Sequence, residues 1–158
     1  MNILIFGGSG FLGEQLAFKL YNTGHKVTIF DKNKKKTLPN KIKFISGDIL
    51  NKKEVEKAVK KKNIVFNFAA LSDIEESIYN PLNTAKINII GNINVAIACN
   101  KNKVKKLIFA STIYVHSKQG GFYKVSKQSS ELFLEEFFQR YKLNYTILRF
   151  GTIYGKTS

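Results

Sequence analysis

The sequence predicts an α/β fold, a doubly wound parallel sheet of six strands in the order 3-2-1-4-5-6. Three observations predict it. Short apolar runs alternate with longer segments whose apolar residues recur at helical spacing. The runs are nearly continuously apolar, as strands buried on both faces must be. The small and polar residues of chemical interest fall just after the runs, where an open sheet of this kind collects its ligands.

Asn2 to Phe6 reads as the first strand and Phe11 to Tyr21 as the first helix, with Phe11, Leu12, Leu16 and Leu20 on its apolar face and Gly24 as its stop. Lys26 to Phe30 is a β-branched second strand. Lys32 to Asn40 is a polar loop carrying Pro39, and Ile42 to Ile45 is a third strand. Lys52 to Lys61 has the pattern of a charged amphipathic helix, and Asn63 to Phe68 that of a fourth strand ending at Ala69-Ala70. Pro81 to Asn100 is one long helix with Ile87, Ile90, Val95 and Ala98 among its apolar positions. Lys106 to Ala110, Tyr123 to Tyr141 and Tyr145 to Phe150 complete the pattern as strand, helix and strand. No internal repeat or low-complexity linker interrupts it. Right-handed crossovers then bring Gly7, Asp31, Asp48, Ala69, Ser111 and Phe150 to the carboxyl edge of one sheet.

A chain of 158 residues with a hydrophobic fraction of 44% is expected to bury a single core, so residues 1–158 are read as one domain. Its lone cysteine, Cys99, has no internal partner, which suits a reducing cytoplasm. The apolar run after Met1 lacks the length and basic flank of a secretory signal, and no stretch is long enough to span a bilayer. A soluble protein is expected. The formal net charge of +15 raises the question of a nucleic-acid partner. Of the 26 basic residues only Arg140 and Arg149 are arginine, the residue that reads bases and grips phosphates bidentately. The lysines sit in Lys32 to Lys36, Lys52-Lys53, Lys60 to Lys62 and Lys101 to Lys106, on loops and helix faces. A solvated surface that draws in anionic ligands is the preferred reading, with no nucleic acid and no metal.

Gly7-Gly8-Ser9-Gly10-Phe11-Leu12-Gly13 matches G-x-x-G-x-x-G between a strand and a helix. Glycine lets the backbone turn tightly and approach a pyrophosphate, and the helix amino terminus offers N–H groups and a favourable dipole. Asp31 lies eighteen residues beyond Gly13 at the end of the second strand, where a carboxylate accepts from ribose hydroxyls and repels a 2′-phosphate. That favours NAD over NADP, and Lys32 beside it pulls the other way. Asp48-Ile49 stands where it can meet adenine.

Tyr123 and Lys127 lie four residues apart, on one face of a helix. A free phenol, with a pKa of about 10, is a poor base at neutral pH. A neighbouring ammonium and the positive nicotinamide ring are expected to lower it, so that Tyr123 takes the proton of a hydroxyl while hydride leaves the same carbon for the cofactor. Ser111-Thr112 offers a hydroxyl for the reacting oxygen, or else simply caps a strand end.

Taken together these segments resemble the extended short-chain dehydrogenases, the NAD-dependent epimerase/dehydratase family, and within it UDP-glucose 4-epimerase-like nucleotide-sugar enzymes. The resemblance runs from Met1 to about Gly155 and also includes Phe66-Asn67-Phe68-Ala69-Ala70, Asn88-Ile89-Ile90-Gly91-Asn92, Phe109-Ala110-Ser111-Thr112 and Leu148 to Gly155. It implies a Rossmann domain. It implies that Gly7, Gly10, Phe11, Leu12 and Gly13 take the pyrophosphate, that Asp31 and Lys32 meet the adenosine ribose, and that Asp48 and Ile49 meet adenine. Phe68, Ala69, Ala70, Asn88 and Phe150 belong by the same resemblance to the nicotinamide side, with Tyr123 and Lys127. Thr112, Tyr123 and Lys127 would carry catalysis, and Thr112 and Thr152 would touch substrate.

Three departures stand out: His116-Ser117 replaces the usual Tyr-Gly, Thr152 replaces the usual Asn, and relatives continue past the match to Ser158 into a section that grips the sugar. The expectation is therefore a cofactor domain without its substrate section, binding NAD better than it turns over a nucleotide sugar. Ile113-Tyr114 stands where dehydratases carry Asp-Glu, which favours an epimerase over a dehydratase or reductase. A non-catalytic NAD-binding module is the other reading. A homodimer through the two long helices is implied by the resemblance.

Overall fold

The computed structural model describes residues 1–35 and 37–155. Six parallel strands form one sheet in the order β3-β2-β1-β4-β5-β6. They are β1 (Asn2–Phe6), β2 (Lys26–Asp31), β3 (Lys43–Ser46), β4 (Ile64–Asn67), β5 (Lys106–Thr112) and β6 (Tyr145–Phe150). The expected order is the observed one. Ile3, Leu4, Ile5 and Phe6 leave at most 1% of their surface exposed, because β1 sits mid-sheet with a helical layer on each side.

The helices fall on two faces. Ile3, Ile5, Val27 and Ile29 pack with Ala17 of α1 (Phe11–Asn22) on one side. On the other, Leu4, Phe6, Val65, Leu107 and Phe109 join α2 (Lys52–Val59), α5 (Gly91–Lys101) and α6 (Gly121–Tyr141). Asn51 caps α2, its Oδ1 accepting from the amides of Lys53 and Glu54.

Three local features differ from the expectation. A short α3 (Ile74–Tyr79) follows β4, capped by Asp73, whose Oδ1 accepts the Glu76 N–H at 2.9 Å. The long helix expected from Pro81 is continuous but not uniform: α4 (Pro81–Ala85) passes through a π turn at Lys86–Ile90 into α5. The fifth strand runs on to Thr112, so Ser111 and Thr112 end the strand, and a 3₁₀ turn at Ile113–His116 follows it. Among the described residues no helix is long and apolar enough to cross a membrane, and no cluster of side chains could hold a metal ion.

Candidate active site

The carboxyl ends of the strands open into one cleft of about 890 Å³. Its floor at β1 is made of backbone. Gly7 turns at φ +72°, its N–H donating to the Phe30 carbonyl at 3.0 Å. A Cβ there would lie 2.5 Å from the Ala69 nitrogen, and one on Gly13 would lie 2.4 Å from the Gly7 oxygen. Only glycine fits either position. Gly10 caps α1 with no side-chain bond, so the first-turn amides, those of Phe11, Leu12 and Gly13, face the cleft without a side-chain partner. The Ser9 hydroxyl, also on the cleft wall, is buried and has no partner among the described residues. Backbone donors without a cap, an orphaned buried hydroxyl and space no Cβ can enter are the features that would fit a pyrophosphate.

At the β2 side, Asp31 lines the cleft. Its Oδ2 accepts the Ser9 N–H at 2.9 Å and its Oδ1 the Lys32 N–H at 2.7 Å, so the carboxylate fixes the glycine loop as well as facing the ligand space. Lys32 also lines the cleft, but its ammonium turns to Asp48 Oδ2 at 3.1 Å. Asp48 itself accepts the Leu50 N–H and stands off the wall, which is formed here by Gly47 and Ile49. Asp48 thus fixes its own loop and tethers Lys32, while its neighbours Gly47 and Ile49 form the wall where adenine was expected.

Across the cleft stand the side chains. Phe68 and Phe150 meet edge to face, ring centroids 6.3 Å apart, beside Ala69 and Ala70. Thr112 is buried on the wall, and its Oγ1 accepts the Tyr114 N–H at 3.3 Å, the capping contact the sequence also allowed. Tyr123 and Lys127 line the cleft from the first turns of α6. Lys127 Nζ donates to the Ala110 carbonyl at 2.7 Å and sits 5.7 Å from the Tyr123 ring centroid. Burial pushes Lys127 down to about 7, partly offset by Glu131. Burial also pushes the Tyr123 phenol up. The cause is the removal of the phenol from water, opposite in sign to the pull expected of an ammonium and a positive nicotinamide ring.

Asn88 is not on the wall. It accepts the Leu71 N–H at 2.8 Å and donates to the Leu71 carbonyl at 3.0 Å and to Ser126 Oγ at 2.9 Å. The π turn aims it inward, where it ties the loop after β4 to α6. Thr152 is exposed and off the wall too, and its neighbours Gly151 and Ile153 form that part. His116 is exposed and does not line the cleft. Sequence reasoning gave no role to Ser9, Lys34, Lys35 and Tyr114, all on the wall, or to Ser77, whose Oγ accepts the Tyr123 N–H at 3.2 Å. Ser9 stood in plain view inside the glycine motif. Ser77 had no signal, because α3 was not expected.

Residues 3–158 match the sequence model of the NAD dependent epimerase/dehydratase family. The chain belongs to that family. A curated relative, the putative UDP-glucose 4-epimerase of Methanocaldococcus jannaschii, is 28% identical over 98% of this chain and 56% of its own length. Among solved structures of related fold, the UDP-glucose 4-epimerase of Thermotoga maritima, with UDP-glucose, superposes at a TM-score of 0.86 and 32% identity, covering 94% of this chain and 55% of that one. The UDP-glucose 4-epimerase of Thermus thermophilus, in complex with NAD, gives 0.86 at 29% identity over 94% of this chain and 54% of that one. The chain thus spans about half the length of the family members it matches.

Proposed function

We propose that this chain is the NAD-binding domain of a nucleotide-sugar 4-epimerase, with Tyr123 as the base that takes the hydroxyl proton while NAD oxidises the sugar carbinol to a ketone. The observation that carries the reading is the glycine cradle at Gly7, Gly10 and Gly13 facing Tyr123 and Lys127 across one cleft. The pyrophosphate would rest on the α1 amides, the adenosine ribose near Asp31, and the nicotinamide between Phe68, Phe150 and Lys127. Bound NAD supplies the acceptor for the sugar's hydride. Tyr123 takes the hydroxyl proton, Thr112 orients the reacting oxygen, and Lys127 holds the nicotinamide ribose. No carboxylate stands at Ile113-Tyr114, so dehydration is disfavoured. The protein is read as soluble and cytoplasmic. It is also read as a homodimer through the exposed apolar residues Ile90 and Ile97 of one helical layer and Val125, Leu132 and Phe133 of α6.

Titration calorimetry of the folded chain with NAD should show saturable binding at one site. Heat with neither the oxidised nor the reduced dinucleotide would end the reading. Tyr123→Phe should keep NAD binding and lower sugar-dependent reduction of the nucleotide by about 10²–10⁴-fold. A second reading is a binding module without turnover. A parent chain that binds NAD yet never reduces it with any nucleotide sugar would select that reading.

A further inference from the structure

The adenosine end of the cleft is lined by Asp31, Lys32, Asn33, Lys34 and Lys35. Three ammoniums around one carboxylate would ordinarily suit a 2′-phosphate as well as a free ribose hydroxyl. Two of them are drawn off. Lys32 pairs with Asp48 at 3.1 Å, an exposed contact of the kind that contributes little. Lys35 pairs with Glu14 at 2.9 Å, and this pair is different. The Glu14 side chain is only 3% exposed and lies in the first turn of α1, directly after Gly13.

Glu14 faces two partners from the loop after β2, with the Thr37 hydroxyl donating to Oε1 and the Lys35 ammonium to Oε2. The Thr37 bond and then Lys35 hold the carboxyl below its usual range even though burial opposes them. Glu14 is therefore charged at neutral pH. The cleft does not include it, whereas Lys35 is on the wall. A buried anion behind the wall thus neutralises a cation on the wall.

We infer that the Glu14–Lys35 ion pair sets the cofactor selectivity of this chain, holding back an ammonium that would otherwise meet a 2′-phosphate and so keeping the cleft for NAD. Asp31 repels the phosphate directly, and Glu14 removes the charge that would compensate for it. The inference rests on the proposed dinucleotide site. Because the glycine cradle and Asp31 are separate from the Lys35–Glu14 contact, the two can fail separately.

The test is the ratio of NADP to NAD affinity, measured by titration calorimetry on the parent chain, Glu14→Gln, Glu14→Gln/Lys35→Met and Lys35→Met. Loosening of the loop would weaken both nucleotides together and leave the ratio unmoved. Freeing the ammonium in Glu14→Gln should raise the ratio about tenfold, the effect of one charge-assisted hydrogen bond. Adding Lys35→Met to that variant should return the ratio to the parent value. Lys35→Met alone strands the buried carboxylate and should lower it, which keeps the inference testable if Glu14→Gln fails to fold. A parent that binds NAD while all four ratios agree would overturn this inference alone. A parent that binds neither nucleotide would remove the dinucleotide site and this inference with it.

Discussion

β1 and β6 belong to one parallel sheet, yet four of the five residues of β1 are buried and none of the six in β6 is. The same contrast runs across the α1 face. Ile5 and Ile29 are fully buried there, whereas Phe66 and Ile108, in register beside them through β4 and β5, are only half-buried. On this face α1 covers β1 and β2, and among the described residues no helix covers β5 and β6 there, although α6 packs on their other face. The two ends of the cleft differ in step. At β1 and β2 the site is built from backbone, held by glycines that admit no Cβ and by Asp31 on the Ser9 amide. At β5 and β6 it is built from side chains projected by α6, whose protonation depends on their burial. A dinucleotide cradle needs only rigid amides. Proton transfer needs groups whose pKa the surroundings can move.

The sharpest way to break the contrast is Gly13→Val. The new side chain would meet the Gly7 oxygen and the Gly8 Cα, both backbone, so neither can swing aside. A loss of about 4 kcal/mol or more in urea unfolding is expected, together with loss of measurable NAD binding. A variant that still binds NAD at parental affinity would show that the loop is not rigid.

Much of this rigid end was legible in the sequence, because glycine spacing is a local signal and its meaning depends only on a strand before it and a helix after it. The strand order followed from the alternation and from right-handed crossovers. What escaped was non-local. α3 reads as a polar stretch unless Asp73 and Glu76 are taken as a cap and its third residue. Nothing in the Pro81 segment announces the π turn that points Asn88 at Leu71, and only the resemblance gave Asn88 a place in support of the site. The contact of Asp48 with Lys32 is non-local in the same way, since it joins the loops after β2 and β3 and periodicity cannot express it.

A middle-sized effect is expected in the core. Ile29→Ala empties a fully enclosed site and should cost about 3 kcal/mol. Ile108→Ala, on the same face but only partly buried, should cost about 1 kcal/mol, since less apolar surface is lost to water. Equal losses by urea unfolding would mean that something covers β5 as tightly as α1 covers β2.

The smallest effect probes the side-chain end. Desolvation brings Lys127 from 10.5 in the unfolded chain to about 7 in the folded one, with Glu131 opposing. Between these values the unfolded chain binds a proton that the folded chain has released, so stability contributed by this group rises with pH. Above about pH 10.5 the dependence ends, because both states are neutral. Below about pH 7 both are charged, and the burial penalty stands in full. The window from pH 7 to 9 is useful because ordinary lysines do not titrate there. In it the parent should gain about 1 kcal/mol per pH unit relative to Lys127→Met, which cannot titrate. Parallel curves for the two proteins would mean that Lys127 keeps its proton in the fold, held by the Ala110 carbonyl and Glu131 against its burial.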